Sequence, residues 1–247
     1  MRSSLVSDVA SVSASQATER FDPSSVSSLD EPVRRYLTHA IEPGVVLSER
    51  VCLTMRGRIK VGRWLEFTAV QRFTGHEFEW RARTGWRRLK PIHVVDRYAG
   101  GEGGTEGKIL GRLQFLHAAD ENTARAAAGR GAVESIWVPA SLMPDRGVSW
   151  RTEDQNTVVA SFEVAPERPE VRLGIDDHGG LRSISTMRWG NVGQAEFGYI
   201  PFGGAIHAER RFDGYVVPSR ITVGWWYGTP RFAPFFEATV TGYKVGQ

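Results

Sequence analysis

Two carboxylates stand where the surrounding pattern is apolar. Strand alternation over residues 92–98 puts Ile92, Val94, Asp96 and Tyr98 on one face, so a carboxylate and a phenol share a surface otherwise suited to a core. Further on, Ala124, Ala127, Ala128 and Gly131 recur at helical steps, and Glu134 interrupts this face of small residues. A carboxylate taken out of water must be paired, hydrogen-bonded or protonated. Two readings are therefore open for each. Asp96 is paired to an arginine or caps the Gly-rich turn that follows it, and Glu134 forms a structural ion pair. Otherwise both are cavity acids: with its pKa raised by burial, Asp96 or Glu134 exchanges a proton with a bound molecule, and Tyr98 assists by hydrogen bonding.

The remaining motifs exclude more than they offer. Six histidines are scattered without a pair at helical metal-ligand spacing. His207 and Glu209 fall two apart on one strand face with no third ligand, so no metal site is expected. With Arg211 they read as an exposed ion-pair face. There is no G-x-S-x-G, and Ser219 lies in a strand rather than at a sharp turn. The GGEGG run at residues 100–104 lacks the strand-to-helix context of a phosphate loop and reads as a tight hairpin or a mobile lid. Cys52 is the single cysteine, which excludes an internal disulfide framework and a Cys-based zinc site; a small buried hydrophobe is its expected role. No cofactor is expected.

The elements that must position these residues are mostly strands. Asp213-Gly214 between two β-branched and aromatic runs predicts a type I′ hairpin, whose central positions both need φ > 0. On the strand after it Val217, Ser219, Ile221, Val223, Trp225 and Tyr227 share a face. Alternating runs punctuated by glycine fill residues 50–116 and resume after Gly147. Helices are predicted from Asp30 to about residue 40 and from Asp120 to about Val138, each with an aspartate at its start. The fold class is all-β dominated: a single curved antiparallel sheet, a barrel or half-barrel of about ten to twelve strands, with an N-terminal and a mid-chain helix plugging the opening. Residues 1–28 are Ser-rich and read as a disordered or loosely packed tail; residues 29–247 form one domain.

Charge is nearly balanced at +3. The cluster at residues 81–90 (RARTGWRRLK) reads as a solvated hairpin face, so no nucleic-acid partner is expected. No stretch approaches the length of a membrane span, and the N-terminus has no apolar core of a signal peptide, so the expectation is a cytoplasmic protein without stable membrane insertion.

Several blocks carry a resemblance. The long run from Trp189 to Phe232, with its PFG, PSR and VGW segments, together with PVRRYLTHAIEPG, DRYAGG and AVESIWVPASLMP, resembles an uncharacterised bacterial family of unknown function. That resemblance implies family positions at Glu134, Glu209, Trp137 and Pro139, and an architecture similar to lipoprotein-carrier half-barrels. It implies no activity. The function expected is binding of a lipophilic, polyketide-like molecule and its cyclisation by substrate folding plus a buried acid, without a cofactor. The alternative is a non-catalytic carrier or sensor of a hydrophobic ligand. Trp80, Trp137, Trp225, Tyr227, Phe78, Met187 and Glu209 are the residues expected to touch the guest.

Overall fold

The computed structural model describes residues 19–86, 89–193 and 195–246. Thirteen strands form one antiparallel sheet in the order β6-β5-β4-β3-β2-β1-β13-β12-β11-β10-β9-β8-β7, one strand more than the upper end expected from the sequence. Chain order explains this arrangement. The first six strands, β1 (Arg50–Val61), β2 (Arg63–Thr74), β3 (Glu77–Trp86), β4 (Leu89–Ala99), β5 (Glu102–Ile109) and β6 (Leu113–Ala118), form a meander running outward from β1. The last seven run inward from the opposite edge: β7 (Ser149–Asp154), β8 (Thr157–Ser161), β9 (Glu170–Ile175), β10 (Leu181–Gly190), β11 (Gly198–Phe212), β12 (Tyr215–Trp225) and β13 (Ala233–Val245). β13 then pairs with β1, from Val51 opposite Val245 to Ile59 opposite Phe236. β6 and β7 are left as edges, so the sheet is not closed by hydrogen bonds.

Alternation gives the sheet one buried face. Val51, Leu53 and Met55 on β1 are buried, as are Leu65, Phe67, Ala69 and Gln71 on β2, and their neighbours Thr54, Arg56, Glu66 and Thr68 are exposed. Asp213 and Gly214 form the β11–β12 turn with φ of 49° and 84°, as a type I′ turn requires. The GGEGG run is a hairpin too: Gly100 and Gly101 have positive φ and Ala99 pairs with Glu102, so the mobile-lid reading is set aside. β12 ends at Trp225; Trp226 then takes a φ of 56° and donates its N–H to the Pro201 carbonyl at 2.5 Å. That turn removes Tyr227 from the strand face on which the sequence placed it.

Helix α1 (Glu31–Ala40) buries Val33, Tyr36, Leu37 and Ala40 and packs on β12, β7 and β8. Of the stretch read as a tail, residues 1–18 lie outside those described. Residues 19–28 pack against the fold: Phe21 and Val26 are in the core, the Phe21 N–H reaches the Val45 carbonyl at 2.8 Å, and Pro23–Val26 is a 3₁₀ turn. Their Ser-rich composition hid two apolar anchors. Cys52 is only partly buried.

Helix α2 (Glu121–Glu134) connects the two edges of the sheet. Asp120 caps it by accepting the Thr123 N–H at 2.7 Å, and 3₁₀ turns at Ser135–Trp137 and Pro139–Leu142 follow in place of the longer helix expected. It touches β4 and β5 on one arm and β10 on the other. Small residues permit this approach. A Cβ on Gly103 of β5 would meet the Ala124 Cα and the Thr123 oxygen at 2.7 Å, and one on Gly131 of α2 would meet the His76 oxygen at 2.5 Å.

Candidate ligand-binding cavity

Between α2 and the curved sheet lies a cavity of about 460 Å³. Its walls come from the buried strand faces. Ile92, Val94 and Asp96 of β4 line it at two-residue steps, as do Ile221, Val223 and Trp225 of β12. Phe202 and Ile206 of β11, Phe235 and Phe236 of β13, and Trp80 of β3 add bulk, while the 3₁₀ turn contributes Ile136 and Trp137. The aromatic rings lean on one another: Phe202 and Trp225 meet edge to face at 5.0 Å, and Phe67 stacks on Phe236 at 5.1 Å. Trp137 is fixed at both ends, donating its indole N–H to the Pro218 carbonyl at 3.0 Å and accepting the Tyr243 hydroxyl on its own carbonyl at 3.0 Å.

The polar part of the wall is a cluster around Arg130. Its Nη1 donates to Asp96 Oδ2 and its Nε to Glu134 Oε1 at 2.9 Å. Arg130 lies one helical turn before Glu134, and its guanidinium sits over the rings of Phe78 at 4.6 Å and Trp80 at 5.2 Å. The other carboxylate oxygens are also occupied. Asp96 Oδ1 accepts the Thr105 hydroxyl at 2.9 Å, and Glu134 Oε2 accepts the Gln71 amide at 2.5 Å. Burial still holds the Glu134 carboxyl above the usual range against the pull of Arg130 and Gln71. The arginine partner foreseen in one reading of Asp96 is therefore present, and the same arginine serves Glu134.

A second cation faces the cavity. Arg188 of β10 runs beneath α2 with its stem against Gly129, donates its Nε to the Ala126 carbonyl at 2.9 Å, and lays its guanidinium over Phe202 at 4.6 Å and Trp225 at 5.1 Å. Among the described residues its terminal nitrogens have no hydrogen-bond partner, and no carboxylate lies within ion-pair distance. Burial and the nearby Arg130 hold its pKa down to about 10, which leaves it cationic at neutral pH. The buried indole N–H of Trp80 also lacks a partner.

The residues proposed from the sequence do not all meet here. Asp96, Glu134, Trp80, Trp137 and Trp225 line the cavity. Tyr98 does not; it stacks with Phe78 at 6.4 Å and its hydroxyl is spent on the Ala165 carbonyl, so it is unavailable to assist an acid. Phe78 lies behind Arg130 rather than in the wall. Met187 and Tyr227 border a separate, more open cleft of about 610 Å³ beside Arg125 and Glu167. Glu209 is remote from both, bound to His39 at 3.1 Å and to the Leu181 N–H at 3.1 Å. The ion-pair face around it does not form, because bulges in β11 turn His207 to Thr222 while Arg211 pairs with Glu42. Sequence reading missed Arg130, Gln71 and Arg188. Arg130 carried a signal in its four-residue spacing to Glu134, and Arg188 in its alternation with Ile184 and Thr186 along β10. Among the described residues no cluster of three or more potential metal ligands occurs, and no helix is long and apolar enough to cross a membrane.

The class is that of a curved antiparallel half-barrel, with an apolar cavity and a buried ionic cluster in its wall. The chain belongs to the family of unknown function DUF6920, whose family model matches residues 27–244. No curated protein matches it.

Proposed function

We propose that this protein binds a lipophilic small molecule inside the half-barrel. The observation that carries the reading is the cavity itself, about 460 Å³ with walls mostly of aliphatic and aromatic side chains, within the range of small-molecule sites. All four oxygens of Asp96 and Glu134 are engaged by protein donors, which favours holding a ligand over proton transfer to it. The test is titration with N-phenyl-1-naphthylamine, an uncharged lipophilic fluorophore. The expected result is saturable fluorescence enhancement that Ile221→Trp, which intrudes into the cavity, weakens while the circular dichroism spectrum is kept. Equal enhancement in the variant, or none in the wild type, would overturn the reading.

Ring formation from a flexible, polyketide-like precursor is the second reading. It is supported by the Glu134 carboxyl in the cavity wall, whose pKa burial shifts upward, the direction that suits a general acid. Its test is product formation from such a precursor by the wild type, Asp96→Asn and Glu134→Gln. Equal turnover by all three removes the acid from the mechanism, and an unaltered precursor leaves the binding role alone.

A further inference from the structure

The polar groups in the cavity wall are unevenly satisfied. Every oxygen of the two carboxylates accepts a hydrogen bond, whereas among the described residues the terminal nitrogens of Arg188 and the indole N–H of Trp80 have no partner; the one unpaired acceptor of the cluster, Gln71 Oε1, is outside the cavity lining. The buried Trp80 donor is costly without a partner, and the half-buried Arg188 guanidinium faces a mostly apolar cavity with no counterion on its outer nitrogens. What Arg188 lacks is an anion. We propose that the ligand carries a carboxylate, that Arg188 binds this head, and that the apolar remainder lies along Ile221, Val223 and the aromatic wall. This rests on the lipophile-binding reading above and names the chemical class of the ligand.

Geometry favours a carboxylate over other anions. The planar guanidinium fork matches a carboxylate through two parallel N–H donors, and the Nε already committed to Ala126 leaves the outer pair free. Phe202 and Trp225 hold the guanidinium over their ring faces, so it is preorganised for such a contact. Asp96 and Glu134 share this cavity wall and disfavour a second negative charge, so a monoanion fits better than a phosphate dianion.

The experiment compares decanoate with decanol, alike in tail and different in head, by displacement of N-phenyl-1-naphthylamine at pH 8. The wild type is expected to bind decanoate at least about tenfold more tightly, the range of a hydrogen bond to a charged group. Arg188→Met keeps an unbranched stem against Gly129 and is expected to lose that preference, the two probes then binding alike; Arg188→Lys, which retains the charge, is expected to keep part of it. Equal affinity of the wild type for both probes, or a preference that survives in Arg188→Met, would overturn the Arg188 assignment and leave the cavity reading standing. Displacement by neither probe would overturn the Arg188 assignment, whereas failure of the fluorophore itself to bind would overturn the cavity reading. The wild-type comparison decides the question even where a variant fails to fold.

Discussion

Removing Arg130 separates the ionic cluster's contribution to the fold from everything else in the cavity. In Arg130→Met the side chain keeps its contacts with Phe78 and Trp80, but Asp96 and Glu134 lose their shared cation in a wall where Arg130 itself is only 14% exposed. Breaking a buried pair from one side costs about 3–5 kcal/mol, because the charge left behind is uncompensated. With a urea slope of roughly 3 kcal/mol per molar for a chain this long, the midpoint should fall by about 1–1.7 M. Tryptophan fluorescence reads it, since Trp80 and Trp137 lie beside the cluster.

The pH dependence of that deficit carries a sign. Glu134 is a carboxyl whose folded pKa lies above its ordinary 4.5, chiefly through burial, with Arg130 the largest opposing influence. A group of this kind takes up a proton on folding, so its contribution is fully favourable below about 4.5 and is lost as pH rises through the folded value. Without Arg130 the folded value rises further, and the loss is larger at neutral pH. The deficit of Arg130→Met relative to the wild type should therefore shrink between pH 7.5 and pH 5. Adding Asp96→Asn and Glu134→Gln to Arg130→Met should recover most of it at pH 7.5, since amides need no counterion. A deficit below about 1 kcal/mol, or one equal at the two pH values, would show that the cluster is not a buried charge network.

Two further outcomes follow from other parts of the packing. His76 stacks on Phe162 at 4.3 Å and hydrogen-bonds Ser135, and burial pushes its pKa down to about 4; the unfolded chain binds its proton first, so stability should fall by up to about 3 kcal/mol as pH drops from 6.5 toward 4, a fall that urea melts should find flattened in His76→Gln. Gly103→Val would drive a side chain into the Ala124 backbone, so it should cost about 1–3 kcal/mol and speed amide exchange in α2; unchanged exchange would mean that the helix does not seat on β5.

Much of the scaffold was legible because its signals are local. Alternation in β1, β2, β4 and β12 needs only neighbouring residues, and Asp213-Gly214 announces its turn by composition. Asp120 and the small residues after it marked α2 equally well. What stayed hidden depends on contacts distant in sequence. The pairing of β1 with β13 joins the two ends of the domain, and no local pattern specifies it. Tyr227 was misplaced because the turn at Trp226 needs a left-handed residue where nothing in the sequence signals one. Phe21 and Val26 were overlooked because composition averages over a segment, whereas two apolar side chains suffice to anchor it.

The site shows the same division. Alternation placed Asp96 on the inner face, but whether it meets a cation depends on the rotation of α2 against β4 and β5. That rotation is set by Gly103 and Gly131, which let the helix backbone approach closely and bring Arg130 within reach of Asp96. An apolar cluster of equal volume would match or exceed this ion network in stability, so stability alone does not account for it. Its physical consequence in the cavity is to consume every carboxylate oxygen while leaving Arg188 unpaired a short way along the wall. A cavity lined that way is apolar toward a ligand's tail and cationic at one point. Neutralising Asp96 and Glu134 together with Arg130 should accordingly leave decanoate binding intact or stronger, since the anchor remains and the wall loses one net negative charge.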